Sequence, residues 1–197
     1  MRGTEDKIMD AAMELVIEKG YSDMTTLDIA ERAGVNEVTL FRRFGSKKEI
    51  VLAALETKRW IPVLDTDFTD GLVWELRDDL ERFLQQYCGQ VTPQLVRLSI
   101  GLRSPQIFAD TAAYIMKVPS SYMEALTAYF AAMQEKGECK EGDPRAFSLS
   151  LFSAALGFVF LQASFGKQLS SLERDTFIST TAETTAEGLK PINTNQR

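Results

Sequence analysis

Histidine is missing from the sequence, and cysteine occurs only twice, at Cys88 and Cys139. Without histidine, the chain lacks the Ser-His-Asp and Cys-His forms of nucleophilic catalysis and every metal site that uses imidazole ligands. The two cysteines do not have the short spacing of a metal or redox motif. Acidic residues are scattered along helix-like faces and do not cluster. The sequence therefore favours a protein that is not an enzyme and that uses no metal ion or cofactor. An all-α enzyme is left as an alternative, and it would need a pair of carboxylates in its core.

The sequence also lacks a charged and apolar leader before Ile8, so no secretory signal is predicted. Two thiols without a sign of export are most simply reduced, and we expect a cytoplasmic protein. One run, 146–166, has 21 residues without a charge, which is long enough to span a bilayer. Serine and glutamine side chains dilute this run. A helix buried between other helices, or in a subunit interface, is therefore preferred over a membrane span.

Positive charge is scarce, with 22 lysines and arginines against 28 acidic residues and a net charge of −6. Four cations nevertheless stand within seven residues, at Arg42, Arg43, Lys47 and Lys48. Residues 1–60 hold ten basic and eleven acidic side chains, so even this part of the chain is nearly neutral. Binding to DNA would therefore depend on the local patch, because long-range attraction should be weak.

Helix signals recur along the sequence, and convincing strand patterns with hairpin turns are missing. Residues 5–19 repeat apolar side chains at helical spacing up to Gly20, and capping patterns predict short helices within 25–34, 37–44 and 47–59. Further helices are predicted over about 68–88 and from Pro93, Pro105, Ser121, Pro144 and Ser170. We expect an all-α protein of roughly nine or ten helices, divided into domains 1–60 and 61–197 near residues 58–65.

Residues 25–44 have the pattern of a helix-turn-helix motif. The segment "GVN" predicts the turn, and the second helix, 37–44, would be about 12 Å long, which fits a major groove. Leu40 and Phe44 are expected to face inward. The other side would present hydroxyl, aromatic and guanidinium groups, which suit phosphates and base edges. Lysines follow in the first turn of the next helix, where their charge is unfavourable unless a phosphate approaches that N-terminus.

Residues 4–60 closely resemble the DNA-binding domain of the TetR family (TetR/AcrR type) of transcriptional regulators. The resemblance rests on the motif T-x-x-I/L-A-x-x-A-G-V-x-x-x-T-L-F/Y-x-x-F-x-x-K, which here begins at Thr26 and ends at Lys47. It implies a three-helix helix-turn-helix domain followed by a larger helical domain for ligand binding and dimerisation. The implied function is a dimeric, ligand-responsive repressor that binds a palindromic operator.

The resemblance implies phosphate contacts for the threonines at the start of the motif and for the lysine that ends it, and DNA-reading roles for the second helix. The predicted DNA-binding residues are Thr25, Thr26, Glu37, Val38, Thr39, Phe41, Arg42, Arg43, Lys47 and Lys48. Phe41 stands where the family commonly has tyrosine, so a phosphate bond through that hydroxyl is lost. Val38 could touch a thymine methyl group. Glu37 could accept a hydrogen bond from cytosine or only favour the helix N-terminus.

The second domain resembles the family only in length and helix number. Its candidate ligand-binding residues are Phe83, Tyr87, Leu98, Leu102, Phe108, Tyr122, Met123, Phe130 and Phe152. The charge-free helix and the last helix are candidate dimer elements because their small residues permit close approach. The candidate interface residues are Ser153, Leu156, Gly157, Phe160, Phe177, Ile178, Thr181 and Thr185. Internal packing is the alternative for each of these side chains.

We expect three partners, namely double-stranded DNA, a second copy of the chain and a small, largely apolar effector, and we expect no membrane. The main alternative is a helical adaptor that keeps its dimer interface but no longer binds DNA. A regulator anchored through 146–166 is a further alternative, and it would require detergent for extraction.

Overall fold

The computed structural model describes residues 3–57, 59–60 and 70–191. In this part of the chain the secondary structure is entirely helical, which confirms the all-α prediction. The α-helices are α1 (Thr4–Asp23), α2 (Thr26–Ala33), α3 (Glu37–Phe44), α4 (Lys47–Glu56), α5 (Leu76–Gln90), α6 (Pro93–Gly101), α7 (Phe108–Glu135), α8 (Pro144–Phe165) and α9 (Arg174–Leu189). A short 3-10 turn, Gly166–Gln168, follows α8.

The first helix bends at the glycine that the sequence predicts as its end. Gly20 has φ 81° and ψ 162°, which are not helical angles. The chain then resumes helical geometry as far as Asp23. Glycine reaches this backbone region without the steric conflict that a Cβ would cause, which explains a break at this position. Gly20 is therefore a bend within α1 and not its terminus.

The helix predicted over 68–88 begins later than the sequence indicates. Residues 68 and 69 lie outside the described residues, and α5 starts at Leu76. Trp74 has a positive φ of 64°, which interrupts helical geometry just before α5. The carboxylate of Asp79, which is 1% exposed, accepts hydrogen bonds from the Val73 N–H at 2.9 Å and the Tyr129 hydroxyl at 3.0 Å. These bonds stabilise a turn just before Leu76, in a stretch that the sequence predicts to be helical.

Three further predicted starts are wrong. Pro105 lies in a turn, because the Ser104 carbonyl accepts hydrogen bonds from the N–H groups of Ile107 and Phe108 before α7 begins. Ser121 does not begin a helix either, since α7 runs through Pro119 without interruption. Ser170 lies before α9, and its hydroxyl accepts from the Leu172 N–H at 3.1 Å in a local turn. Hydroxyl residues favour turns as well as helix caps, so their presence alone did not distinguish the two.

One compact unit contains the described residues up to 60 together with Gln94–Lys117, which include α6 from its second residue onward and the start of α7. Its core joins buried side chains from α1 to α4 with Leu98, Leu102, Ile107 and Ile115. The predicted domain 1–60 does not include this second segment, and its boundary falls beside residues outside the described range. The assignment of 1–60 and 61–197 as functional domains stays a prediction.

The other compact unit contains the described residues of 70–93 and 118–191. Four buried aromatic side chains meet at its centre, where Tyr87 makes edge contacts with Tyr122 at 4.9 Å and with Phe152 at 5.3 Å between ring centroids. Phe83 contacts both tyrosines. Burial raises the pKa of Tyr87 well above its usual range. The Tyr87 hydroxyl therefore stays protonated, and the cluster forms the apolar core of this unit.

The charge-free run forms α8. By length and composition this helix could cross a membrane, and 33% of its most apolar window is buried inside the structure. Several large apolar side chains of α8 are exposed, among them Leu149, Leu156 and Phe160. The helix therefore has one side in the core of its unit and one apolar side facing outward.

Candidate nucleic-acid interface

The N-terminus of α2 is closed by a complete capping box. The Thr25 hydroxyl accepts a hydrogen bond from the Asp28 N–H at 3.1 Å, and the Asp28 carboxylate accepts from the Thr25 N–H at 2.7 Å. The Lys19 ammonium lies 2.7 Å from the same carboxylate. The Thr25 hydroxyl also donates to this carboxylate, at 2.8 Å. The lysine bond and the bonds donated by the Thr25 hydroxyl and N–H lower the pKa of Asp28 to about 2. Thr25 is thus a helix cap in the free protein, which fixes where α2 begins.

We expect that replacing Lys19 with glutamine raises the pKa of Asp28 from about 2 toward its usual value, because the leading cause of the depression is the Lys19 bond. A carboxyl whose pKa is lower in the folded protein stabilises it above the unfolded pKa, so this contribution is lost as the pH falls from about 4 toward 2. An NMR titration of the Asp28 carboxyl carbon measures the shift. An unchanged pKa in the variant would show that the threonine bonds alone set it.

The turn between α2 and α3 holds the two helices in a fixed relation. Gly34 adopts the left-handed conformation at φ 66°, and Asn36 caps α3 by accepting from the Val38 N–H at 2.8 Å. The Thr26 hydroxyl donates to a carboxylate oxygen of Glu37 at 2.5 Å. This bond ties the first residue of α2 to the first residue of α3. Glu37 is therefore half-buried and held by the protein's own hydroxyl.

α3 buries one side and exposes the other. Leu40 is fully buried and Phe44 half-buried, while Val38 is 72% and Phe41 48% exposed. Thr39 is half-buried, and the arginines at 42 and 43 are both exposed. Because Leu40 anchors the helix in the core, the exposed side chains stand on a rigid support. A short helix with a methyl-bearing, an aromatic and two guanidinium side chains on its outer face can contact both base edges and phosphates.

The four cations of the patch differ in what they already contact. A terminal guanidinium nitrogen of Arg43 lies 2.6 Å from a carboxylate oxygen of Glu5. The Lys48 Nζ lies 2.6 Å from a carboxylate oxygen of Asp110. Asp110 raises the pKa of Lys48, so this ammonium stays charged. Among the described residues, Arg42 has no ion-pair or hydrogen-bond partner.

Lys47 has a structural role in the free protein. Its ammonium donates to the Tyr21 carbonyl at 3.1 Å and the Met24 carbonyl at 2.9 Å, and it lies 4.5 Å from the centre of the Tyr21 ring. These bonds hold the end of α1 against the start of α4. An ammonium has three donors, so contact with a phosphate would use the remaining one or exchange a carbonyl.

The exposed position of Leu27 on α2 was not predicted from the sequence. Leu27 is 54% exposed, although Ile29 and Ala30 on the same helix are buried. Successive residues on a helix are about 100° apart, so a helical projection of α2 would have shown that Leu27 points away from the core. Glu5 and Asp110 were also missed. They lie 38 and 62 residues from their partners, and no local signal links such positions.

The structure brings together only part of the predicted ligand-binding set. Phe83, Tyr87, Tyr122 and Phe152 form the buried aromatic cluster described above, and Phe130 packs against Tyr129 and Phe147. Met123 is half-buried on α7. Leu98, Leu102 and Phe108 lie elsewhere, in the compact unit that contains the helix-turn-helix, where Leu98 and Leu102 are core residues and Phe108 is exposed.

A cavity of about 230 Å³ lies in the second unit, between the ends of α5 and α8 and the start of α9. Its walls are Cys88, Val91, Pro93, Phe158, Val159, Gln162, Lys167, Leu172, Glu173 and Arg174, none of which is in the predicted ligand set. Burial raises the pKa of the Cys88 thiol to about 11. The thiol is therefore protonated and unreactive at neutral pH. No cluster of acidic and cysteine side chains that could hold a metal ion occurs among the described residues.

The predicted interface residues differ in exposure. Ser153, Leu156 and Phe160 are exposed along α8, and Gly157 is half-buried. On α9, Ile178 is buried, whereas Thr181 and Thr185 are half-buried. Phe177 stacks on Phe158 with ring centroids 4.1 Å apart. The predicted α8 residues therefore follow one outward-facing side of that helix, while Ile178 belongs to the core of its own unit.

Comparison with known proteins shows similarity over most of the chain. Residues 8–54 match the family described as bacterial regulatory proteins, tetR family. The HTH-type transcriptional regulator YvkB of Bacillus subtilis (strain 168) is 29% identical over 175 residues, which cover 89% of this chain and 91% of YvkB.

Two solved structures share the fold. FadR from Bacillus subtilis, in complex with stearoyl-CoA, has a TM-score of 0.66 at 20% identity and covers 93% of this chain and 98% of its own. AibR, in complex with isovaleryl coenzyme A and operator DNA, has a TM-score of 0.67 at 16% identity, and the match covers 92% of this chain and 97% of AibR. At these identities the similarity concerns the fold.

A helix-turn-helix within a chain whose described residues form only helices is typical of one class of DNA-binding regulators. The match over 8–54 and the alignment with YvkB over most of both chains assign this protein within the class. Residues 8–54 thus match the DNA-binding part of the tetR family, and the chain resembles bacterial transcriptional regulators of that family.

Proposed function

We propose that this regulator binds double-stranded DNA through α3, which enters the major groove. The observation that supports the proposal is the division of α3 into a buried anchor, Leu40, and an exposed face carrying Val38, Phe41 and Arg42. In this proposal Arg42 donates to a purine edge or a phosphate. Val38 and Phe41 contact thymine methyl groups or sugars.

The remaining predicted residues would position α3 on the duplex. Thr25 and Thr26 stand at the N-terminus of α2, and Lys47 and Lys48 stand at that of α4, where backbone N–H groups also favour an anion. Arg43 and Thr39 flank the exposed face of α3. Such phosphate contacts fix orientation and contribute most of the salt dependence of binding.

Fluorescence anisotropy with labelled random-sequence duplexes tests this proposal. A DNA-binding protein shows an affinity that falls steeply between about 50 and 200 mM salt. A helical adaptor would show no affinity for duplexes at any salt concentration. The adaptor has one point in its favour, since Arg43, Lys47 and Lys48 are each engaged within the protein.

The protein would act as a homodimer through α8 and α9, because one recognition helix contacts too few bases for high specificity. The exposed apolar side chains of α8, which include Leu156 and Phe160, support this proposal. Two copies related by two-fold symmetry would require a palindromic operator.

We expect that replacing Leu156 with glutamate weakens dimerisation by about tenfold or more, because two carboxylates would face each other across a two-fold interface. Sedimentation velocity over a concentration series measures the change. Met116, which is also exposed but lies outside the predicted interface, supplies the matched control Met116→Glu. Equal behaviour of both variants and the unchanged protein would contradict an α8 interface.

A small, largely apolar effector would complete the function, acting on a cytoplasmic repressor that leaves its operator when the effector binds. The apolar core of the second unit supports this part, and so does the presence of acyl-CoA ligands in the complexes of FadR and AibR. The predicted aromatic residues pack closely against one another, so an effector would need to separate them. If the effector binds the conformation that cannot bind DNA about a hundredfold more tightly, the coupling free energy between effector and DNA is about 2.7 kcal/mol.

A further inference from the structure

Two ion pairs connect the predicted DNA patch to acidic residues that the helix-turn-helix itself does not contain. Glu5, in the first turn of α1, lies 2.6 Å from Arg43, and Asp110, in the first turn of α7, lies 2.6 Å from Lys48. All four side chains belong to the same compact unit. Each is between about a third and three-fifths exposed, so the pairs lie at the surface, where DNA could reach them.

Neither pair is needed to hold the unit together. Exposed ion pairs contribute little to folding, and the buried side chains of α1, α3, α4 and α6 already fix these helices. Each acid also favours the N-terminus of its own helix, which is a sufficient reason for a negative charge there. That reason does not explain why each carboxylate also reaches a cation of the DNA patch.

Both contacts leave the cation able to exchange partners. Glu5 touches one terminal nitrogen of Arg43, so the other guanidinium donors stay open, and the Lys48 ammonium has donors beyond the one used by Asp110. A phosphate that approaches either cation meets a carboxylate already at hydrogen-bond distance. The two anions repel each other, so the phosphate must displace the carboxylate or accept a weaker contact.

We propose that Glu5 and Asp110 compete with DNA phosphates for Arg43 and Lys48 and thereby limit the charge-dependent affinity of this regulator for DNA. The inference rests on the proposed DNA-binding function. Binding to random DNA depends almost entirely on charge, so two neutralised cations weaken it strongly.

The test compares Glu5→Gln, Asp110→Asn and the unchanged protein on a random-sequence duplex at several salt concentrations. Glu18→Gln is the matched control, because Glu18 is an exposed acid of the same unit whose carboxylate pairs with Arg32 at 2.6 Å, away from the patch. The same titration is carried out with all four proteins, after circular dichroism has shown that their helical content is equal. The amide substitutions remove charge while keeping nearly the same shape.

We expect Glu5→Gln and Asp110→Asn each to tighten random-DNA binding by about threefold to tenfold at low salt and to steepen the salt slope by up to about 0.9. Glu18→Gln should change neither quantity by a comparable amount. Equal effects of all three substitutions would overturn the proposal in favour of a general charge effect. Weaker binding by Glu5→Gln or Asp110→Asn would also overturn it, since the pairs would then position the cations. If no protein in the series binds DNA, the proposed function fails together with this inference.

Discussion

Replacing Arg42 with alanine is expected to reduce operator affinity by tenfold or more, with a small effect on stability. Loss of one base-reading arginine costs about 1–3 kcal/mol, and a dimer loses two. Arg42 is exposed and contacts no other described residue through an ion pair or hydrogen bond, so its removal leaves the fold intact. Anisotropy titration of a labelled operator duplex measures the loss.

The matched control for Arg42 is Arg77→Ala on α5. Arg77 is also exposed, and its replacement changes the net charge by the same amount. A general charge effect would weaken binding equally in both variants. The proposed role of α3 requires that only the Arg42 variant loses affinity for the operator and discrimination against random sequence. Undiminished operator binding by the Arg42 variant would show that another surface contacts the DNA.

Replacing Gly101 with alanine is expected to destabilise the first unit by about 1–3 kcal/mol. A Cβ at this last residue of α6 would lie 2.4 Å from the Val16 carbonyl oxygen and 2.8 Å from a Val16 methyl carbon. The backbone oxygen belongs to α1, so it cannot move aside without shifting that helix. Urea denaturation followed by circular dichroism measures the free energy of unfolding.

Gly89 supplies the matched control for Gly101. It also lies in a helix, but a Cβ there would meet no atom within 4 Å. Gly89→Ala should therefore be neutral or stabilising by about 0.5–1 kcal/mol, because alanine favours helices more than glycine does. Equal stability of the Gly101 variant and the unchanged protein would show that α1 and α6 are not packed as closely as the structure has them.

Local features of the helix-turn-helix could be predicted from the sequence. The caps Thr25, Asn36 and Ser46 depend on side chains that lie within three residues of the groups they bind. The inward direction of Leu40 follows from helical spacing alone. Each of these features is set by a short segment, so the sequence contains the information in one place.

Features that depend on distant residues could not be predicted. Nothing near Arg43 or Lys48 indicates Glu5 or Asp110, and nothing near Leu98 indicates that it packs with the N-terminal helices. The start of α5 also escaped prediction, since the Asp79–Tyr129 hydrogen bond that stabilises the preceding turn joins residues 50 positions apart. Tertiary contacts decide these features, and helical propensity does not encode them.

Selection from a random DNA pool by the purified protein, followed by sequencing, tests most directly the claim that α3 reads DNA. At about 0.1 M salt we expect enrichment of one palindromic sequence, which disappears when Arg42 is replaced with alanine. The selection is made with protein that is folded and dimeric by circular dichroism and sedimentation. If such protein enriches no sequence, the claim is wrong, and the chain is a helical adaptor that has kept the motif without DNA binding.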